Sequence, residues 1–211
     1  MNPEEIIHAF ENGERELEPL LEKMGWESWL GVAELGLIMG SEIVTFLEEK
    51  LSPAESKVLE LVKKRIAGEI NLDSIEEALE VARKPETRDL ALEGRLRMER
   101  GLVHFENGQI EEARDDLTWA ETRLKSVAKA SRDHDISLLN KAAFHLSIDE
   151  PMMALHVHGE ISRKSGHANE TLAISRIQAA RIHLPAGTST FSARGRSVIL
   201  SGNVPMNSPS A

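Results

Sequence analysis

Apolar residues along this chain recur at steps of three and four, the spacing that lines one face of an α-helix. From Ile110 onward, Ile110, Ala113, Leu117, Ala120, Leu124 and Val127 share a face, while Glu111, Glu112, Arg114, Asp115, Glu121 and Arg123 occupy the other. Just before them, Ala91, Gly94, Met98, Gly101, Leu102 and Phe105 form a second stripe. Glu106-Asn107-Gly108 separates the two, and Gly or Asn takes the left-handed conformation that closes a helix. So short a connection makes the two helices antiparallel neighbours.

The same reading extends outward. Pro3 to Phe10 predicts a short helix ending at Asn12-Gly13, followed by Glu14 to Lys23 with Pro19 inside it. Glu27 to Glu49 reads as one long helix, with Trp26 and Trp29 anchoring its start. Gly31, Gly36 and Gly40 lie along it; each costs about 1 kcal/mol against alanine in a helix interior, so close packing must compensate. Ser52-Pro53-Ala54-Glu55 is a capping box with proline at the first helical position, and predicts a helix to about Ile70. Asp73-Ser74 caps the next, whose stripe is Ile75, Ala78, Leu79 and Ala82 and whose stop is Pro85. Thr87 caps the first helix of the central pair, and the second runs to about Ala130. A further pair starts near Asp133 or Asp135, with Ile136, Leu139, Ala142, Ala143 and Leu146 inward. It turns at Ser147-Ile148-Asp149, has Pro151 in the first turn of its second helix, and closes at Gly166. Asn169 caps a last helix to His183, with Leu172, Ala173, Ile177 and Ala180 inward. Its remaining positions are polar enough to close the end of a repeat stack. Pro185 to Ala211 is rich in Ser, Gly and Pro and reads as a disordered tail, with Ser197 to Leu200 the segment of it suited to dock as a short strand.

The central pair resembles the tetratricopeptide repeat (TPR). Gly101, His104-Phe105, Gly108, Ile110, Ala113, Leu117 and Ala120 match that family's order of small residue, aromatic, glycine turn and second-helix positions, within a period of about 34 residues. Arg97 and Arg100 depart from the pattern, standing where the family has large apolar residues, and Lys125 replaces its closing proline. Ala154 follows Ala113 by 41 residues, about seven beyond one period. The resemblance implies an all-α fold, antiparallel helix pairs stacked as a short TPR-like α-solenoid. The domains expected are N-terminal helices over 1–50, repeat-like pairs with a capping helix over 51–184, and the tail over 185–211. It also implies a concave groove lined by the first helix of each pair. Arg95, Met98, Leu102 and Phe105 fall on groove positions, as do Ile136 and Leu139 of the next pair. That surface suits an apolar or amphipathic peptide, with Arg95 placed to bind a carboxylate. The groove filled by the last helix or the tail is the competing expectation. By the same resemblance His145 and His158 face each other within one hairpin.

The chain has 211 residues, neither cysteine nor tyrosine, and a net charge of −10. Without cysteine there is no disulfide framework and no thiolate nucleophile or zinc ligand. The charge is uneven: 14 acids and 4 bases over 1–60, 20 and 15 over 61–160, 1 and 6 over 161–211. An acidic body disfavours nonspecific nucleic-acid binding. Glu34 and Glu42 interrupt the most apolar run, Leu30 to Leu47, so no membrane span is expected. With no signal peptide read at the start, the setting expected is cytoplasmic.

Candidate chemistry is sparse. No phosphate-binding glycine loop, nucleophile elbow or HExxH occurs. His156 and His158 are two apart and point to different sides of a helix. His145 and His158 lack a third ligand, so no metal or cofactor is expected; burial would favour their neutral form and make local stability fall with acid. The acids Glu111-Glu112 and Asp115-Asp116 read as solvent-facing charge. The expectation is therefore a non-enzymatic adaptor that binds a protein or peptide segment, with self-association into a homo-oligomer as the alternative.

Overall fold

The computed structural model describes residues 3–22, 29–86, 88–129, 131–163 and 169–183. Among them are eleven α-helices and no strand, as the spacing predicts. Trp26, Thr87, Ala130, Gly166 and the segment from Pro185 onward, with Ser197 to Leu200 in it, lie outside the described residues, and so do the expectations placed on them. The described chain divides into two compact units, 3–92 and 93–183. The boundary expected after residue 50 falls inside the first of these, because the helix after it packs on the apolar helix before it.

The first unit contains α1 (Pro3–Glu11), α2 (Glu18–Glu22), α3 (Trp29–Met39), α4 (Ile43–Glu48), α5 (Pro53–Ala67) and α6 (Leu72–Arg83). Apolar on most sides, α3 is its centre and packs against α1, α4 and α5. Ile6 and Ile7 of α1, Val32 and Ala33 of α3, and Ile43 and Leu47 of α4 are fully buried. The long helix expected over Glu27 to Glu49 is broken. Gly40 takes a left-handed φ of 69°. Its N–H bonds Leu37 O at 3.3 Å and the Ser41 N–H bonds Gly36 O at 2.9 Å, the paired pattern that ends a helix. The chain then doubles back, and a Cβ on Gly36 would stand 2.6 Å from Ile43 Cγ2. Two apolar stripes in series thus form a tight hairpin. Similarly, α2 begins only at Glu18, four residues later than the periodicity suggests.

Local signals set α5 and α6. Ser52 accepts the Glu55 N–H, and the Glu55 side chain accepts the Ser52 N–H. Gly68, at φ 74°, stops α5 short of Ile70. The cap of α6 is Asn71, not Asp73-Ser74: Asn71 accepts the Ser74 N–H at 2.9 Å, and Ser74 sits at the third helical position. Lys57 of α5 reaches Glu77 of α6 at 2.6 Å.

The second unit holds α7 (Leu90–Glu106) from its second turn onward, α8 (Ile110–Val127), α9 (Arg132–Ser147), α10 (Pro151–Arg163) and α11 (Asn169–His183). Asp89 caps α7 by accepting the Ala91 and Leu92 N–H groups. The helices α7 and α8 run antiparallel: Gly94 lies against Leu124, and Gly101 against Leu117. Gly108 turns between them at φ 76°, as expected. The cap of α9 is Ser131, which accepts the His134 N–H at 3.2 Å. The α9–α10 turn passes through Asp149 at φ 60°, and α9 packs against α8, α10 and α11.

Two apolar clusters fill this unit. One gathers Met98, Leu102, Ala113, Leu117, Ala120 and Phe144, with Phe105, Ile110, Ile136 and Ile148 at its edge. The other joins Leu138, Leu139, Ala142, Val157 and Ile161, with Leu172 and Ile174 of α11 packed on it. In α11 the inward face differs from the expected one. Thr171 and Ser175 are buried, Leu172 is half-buried, and Ala173, Ile177 and Ala180 are exposed.

Candidate functional site

The six residues expected to line a groove are mostly interior. Met98 and Leu102 are in the first cluster. Phe105 is half-buried and meets Phe144 edge-on, with centroids 5.5 Å apart. Ile136 is half-buried against the same cluster, whereas Leu139 belongs to the second. Arg95 is buried, its Nη1 3.5 Å from Asp133 Oδ1. The structure thus brings Met98, Leu102, Phe105 and Ile136 together as core, and their stripes read correctly as apolar faces. Side chains of α7, α8 and α9 meet in that cluster.

The arginines that break the repeat pattern have a partner. Asp116 of α8, 3% exposed, accepts from Arg100 Nε at 2.6 Å, Arg100 Nη2 at 2.7 Å and Arg97 Nη1 at 3.3 Å. The Arg97 guanidinium also lies 4.3 Å from the Trp119 ring centroid, and Arg123 lies 5.0 Å from it. Asp116 is therefore a structural anion, not the surface charge expected of Asp115-Asp116. Two arginines one turn apart on a helix, opposite a helix carrying one inward carboxylate, were the available signal.

A second ionic group surrounds the α9–α10 turn. Arg114 donates two hydrogen bonds to Glu150, at 2.9 and 3.0 Å. His145 Nδ1 lies 2.7 Å from Glu150 Oε2. Hydrogen bonds from Arg114 and then His145 hold the Glu150 carboxyl down at about 2; the Glu150 bond in turn raises Arg114. Glu111, at 3.6 Å from Arg114, and exposed Asp149 extend this acidic rim. Beside it stand exposed apolar side chains: Leu146 at 39%, Met152 at 74% and Met153 at 48%.

His145 and His158 each have a partner of their own. His158 Nδ1 shares a hydrogen bond with Ser175 Oγ at 3.0 Å, both residues buried. Burial lowers the His158 pKa. Among the described residues no three metal-ligating side chains come together, and no helix is long and apolar enough to cross a membrane. No protein-family model, curated protein or solved structure matches this chain.

Proposed function

We propose that this chain is a protein-interaction module whose second unit is a short TPR-like stack, and that its contact surface is the apolar rim of the α9–α10 turn. In this reading α7 with α8 and α9 with α10 are successive hairpins, and α11 closes the end. The glycine contacts between α7 and α8, and the packing of α9 on α8, α10 and α11, support it. The surface rests on one observation, the exposure of Leu146 near the end of α9 and of Met152 and Met153 at the start of α10. Unbranched, polarisable methionines adapt to varied apolar partners, and clustered exposed apolar side chains mark contact sites. Glu111, Asp149 and the body's negative charge select a partner segment that is amphipathic and basic. The module works in the cytoplasm and needs no cofactor.

The test uses a fluorescein-labelled amphipathic helix of leucine and lysine, read by anisotropy against wild type and the Met152→Glu, Met153→Glu variant. Saturable binding by wild type, weakened about tenfold or more in the variant, supports the site. Equal binding by both places the contact elsewhere. If wild type alone forms a concentration-dependent dimer in light scattering, the rim is instead a surface for self-association.

A further inference from the structure

Sulfur enters this chain only as methionine: it has seven, and no cysteine. The described methionines differ widely in solvent access. Met152 is 74% exposed and Met153 48%, with Met39 of the first unit at 45%. Met98, at 1%, is buried in the cluster shared by α7, α8 and α9. The exposed pair stands in the first turn of α10, directly after Pro151. The packed side of that helix is carried by Ala154, Val157 and Ile161, all buried. Neither Met152 nor Met153 belongs to either apolar cluster of the second unit. Their side chains are therefore open to water, while other residues hold the helix in place.

We infer that Met152 and Met153 form a reversible oxidation site that switches the α9–α10 rim off. The inference rests on that rim being the contact surface, as proposed above. The oxidant is hydrogen peroxide. A sulfur lone pair attacks one peroxide oxygen, an S–O bond forms and the O–O bond breaks. The departing hydroxide takes the proton left on the transferred oxygen, giving sulfoxide and water. Sulfur loses two electrons and the peroxide gains them. The product is a polar, chiral side chain in place of a flexible apolar one. The rim then keeps Leu146 but loses its two adaptable apolar groups. A partner helix that covered the new oxygens without donating to them would bury unsatisfied polar atoms. Leucine at both positions would offer a similar apolar surface without this sensitivity. Because Met98 is closed to solvent, the rim is oxidised while the core stays intact. Reduction by a dithiol, through sulfoxide reductases specific for each epimer, returns the thioether with a disulfide and water.

The test uses the full chain. Wild type is treated with hydrogen peroxide, quenched with catalase at intervals and digested for mass spectrometry. Met152 and Met153 should reach half-conversion about tenfold or more sooner than Met98, with far-ultraviolet circular dichroism unchanged. The labelled leucine–lysine helix, which carries no sulfur, is then titrated by anisotropy. Oxidised wild type should bind it about tenfold more weakly than reduced wild type does. Treatment with both sulfoxide reductases and dithiothreitol should restore the affinity. A Met152→Leu, Met153→Leu chain should bind equally before and after peroxide, although Met39 and its other methionines are still present. A reduced wild type that fails to bind sinks the rim as a contact surface, and the switch with it. Binding by reduced wild type that peroxide leaves unchanged overturns the switch alone. Loss of binding by the peroxide-treated leucine chain, or conversion of Met98 as fast as the pair, overturns it too.

Discussion

Gly36 and Gly68 are glycines for different reasons. A Cβ at Gly36 would press on Ile43 and Val44, at 2.6 and 3.3 Å. At Gly68 nothing lies within 4 Å, but φ is 74°. Gly36→Ala gains about 1 kcal/mol of helix propensity and pays roughly 1–3 kcal/mol of overpacking, so we expect a net loss near 1 kcal/mol. Gly68→Ala costs about 1–2 kcal/mol through backbone strain alone. Urea denaturation separates the causes: Gly68→Asn should regain much of the loss, because Asn tolerates that backbone, and Gly36→Asn should not. Matching behaviour at the two sites would contradict this. Gly36 was legible as a glycine needing a close neighbour, but not which neighbour, since that depends on the hairpin closing at Gly40. Arg97 and Arg100 were legible only as exceptions. Asp116→Asn should cost about 2 kcal/mol, because two partly buried guanidiniums lose their shared anion; a loss within 0.5 kcal/mol, the usual range for surface sites, would show the network to be surface decoration.

At the scale of elements, the capping box of α5 and the apolar stripes of α7 and α8 could be read directly. Misreadings arose where a helix is apolar all round, as in α3, or polar on its inner face, as in α11. Periodicity finds the apolar side of a helix; it cannot say that a neighbour will accept the other side. The inward face of α11 depends on Asp135 and His158, contributed from elsewhere in the chain. The same dependence gives a pH signature. His158 is held neutral by burial, so its folded pKa lies below the ordinary 6.5. The unfolded chain takes up its proton first as pH falls, and stability declines from about pH 6.5 downward. For Glu150 the folded value of about 2 lies below the ordinary 4.5. Its contribution is complete above about 4.5 and is lost as pH falls toward about 2. Thermal melts should show His158→Gln flattening the decline between about pH 7 and 5, and Glu150→Gln flattening it below about 4.5. If neither substitution changes the slope, these groups do not govern acid sensitivity.

For the whole molecule, the net charge of −10 bears on association more than on fold. Binding of a basic amphipathic peptide to the α9–α10 rim should weaken with salt, as expected for exposed charges screened over about 10 Å at 0.1 M. Titrations at low and high ionic strength check this, and salt-independent affinity would remove the acidic rim from the proposal. The groove expected along α7 and α9 shows why a surface was harder to read than a fold. An apolar stripe fits a ligand-binding wall and a packed interior equally well; here Met98 and Leu102 are buried and Phe105 meets Phe144 edge-on.

Throughout 93–183 each helix packs on the one that follows it in sequence: α7 on α8, α8 on α9, α9 on α10, α10 on α11. Partners that are near in the chain meet with little loop-closure entropy, and such topologies fold in microseconds to milliseconds. During synthesis at about 5–20 residues per second, each hairpin has time to form before the next has been made. The unit can therefore assemble in the order in which it is written, with α11 arriving last onto a face already complete.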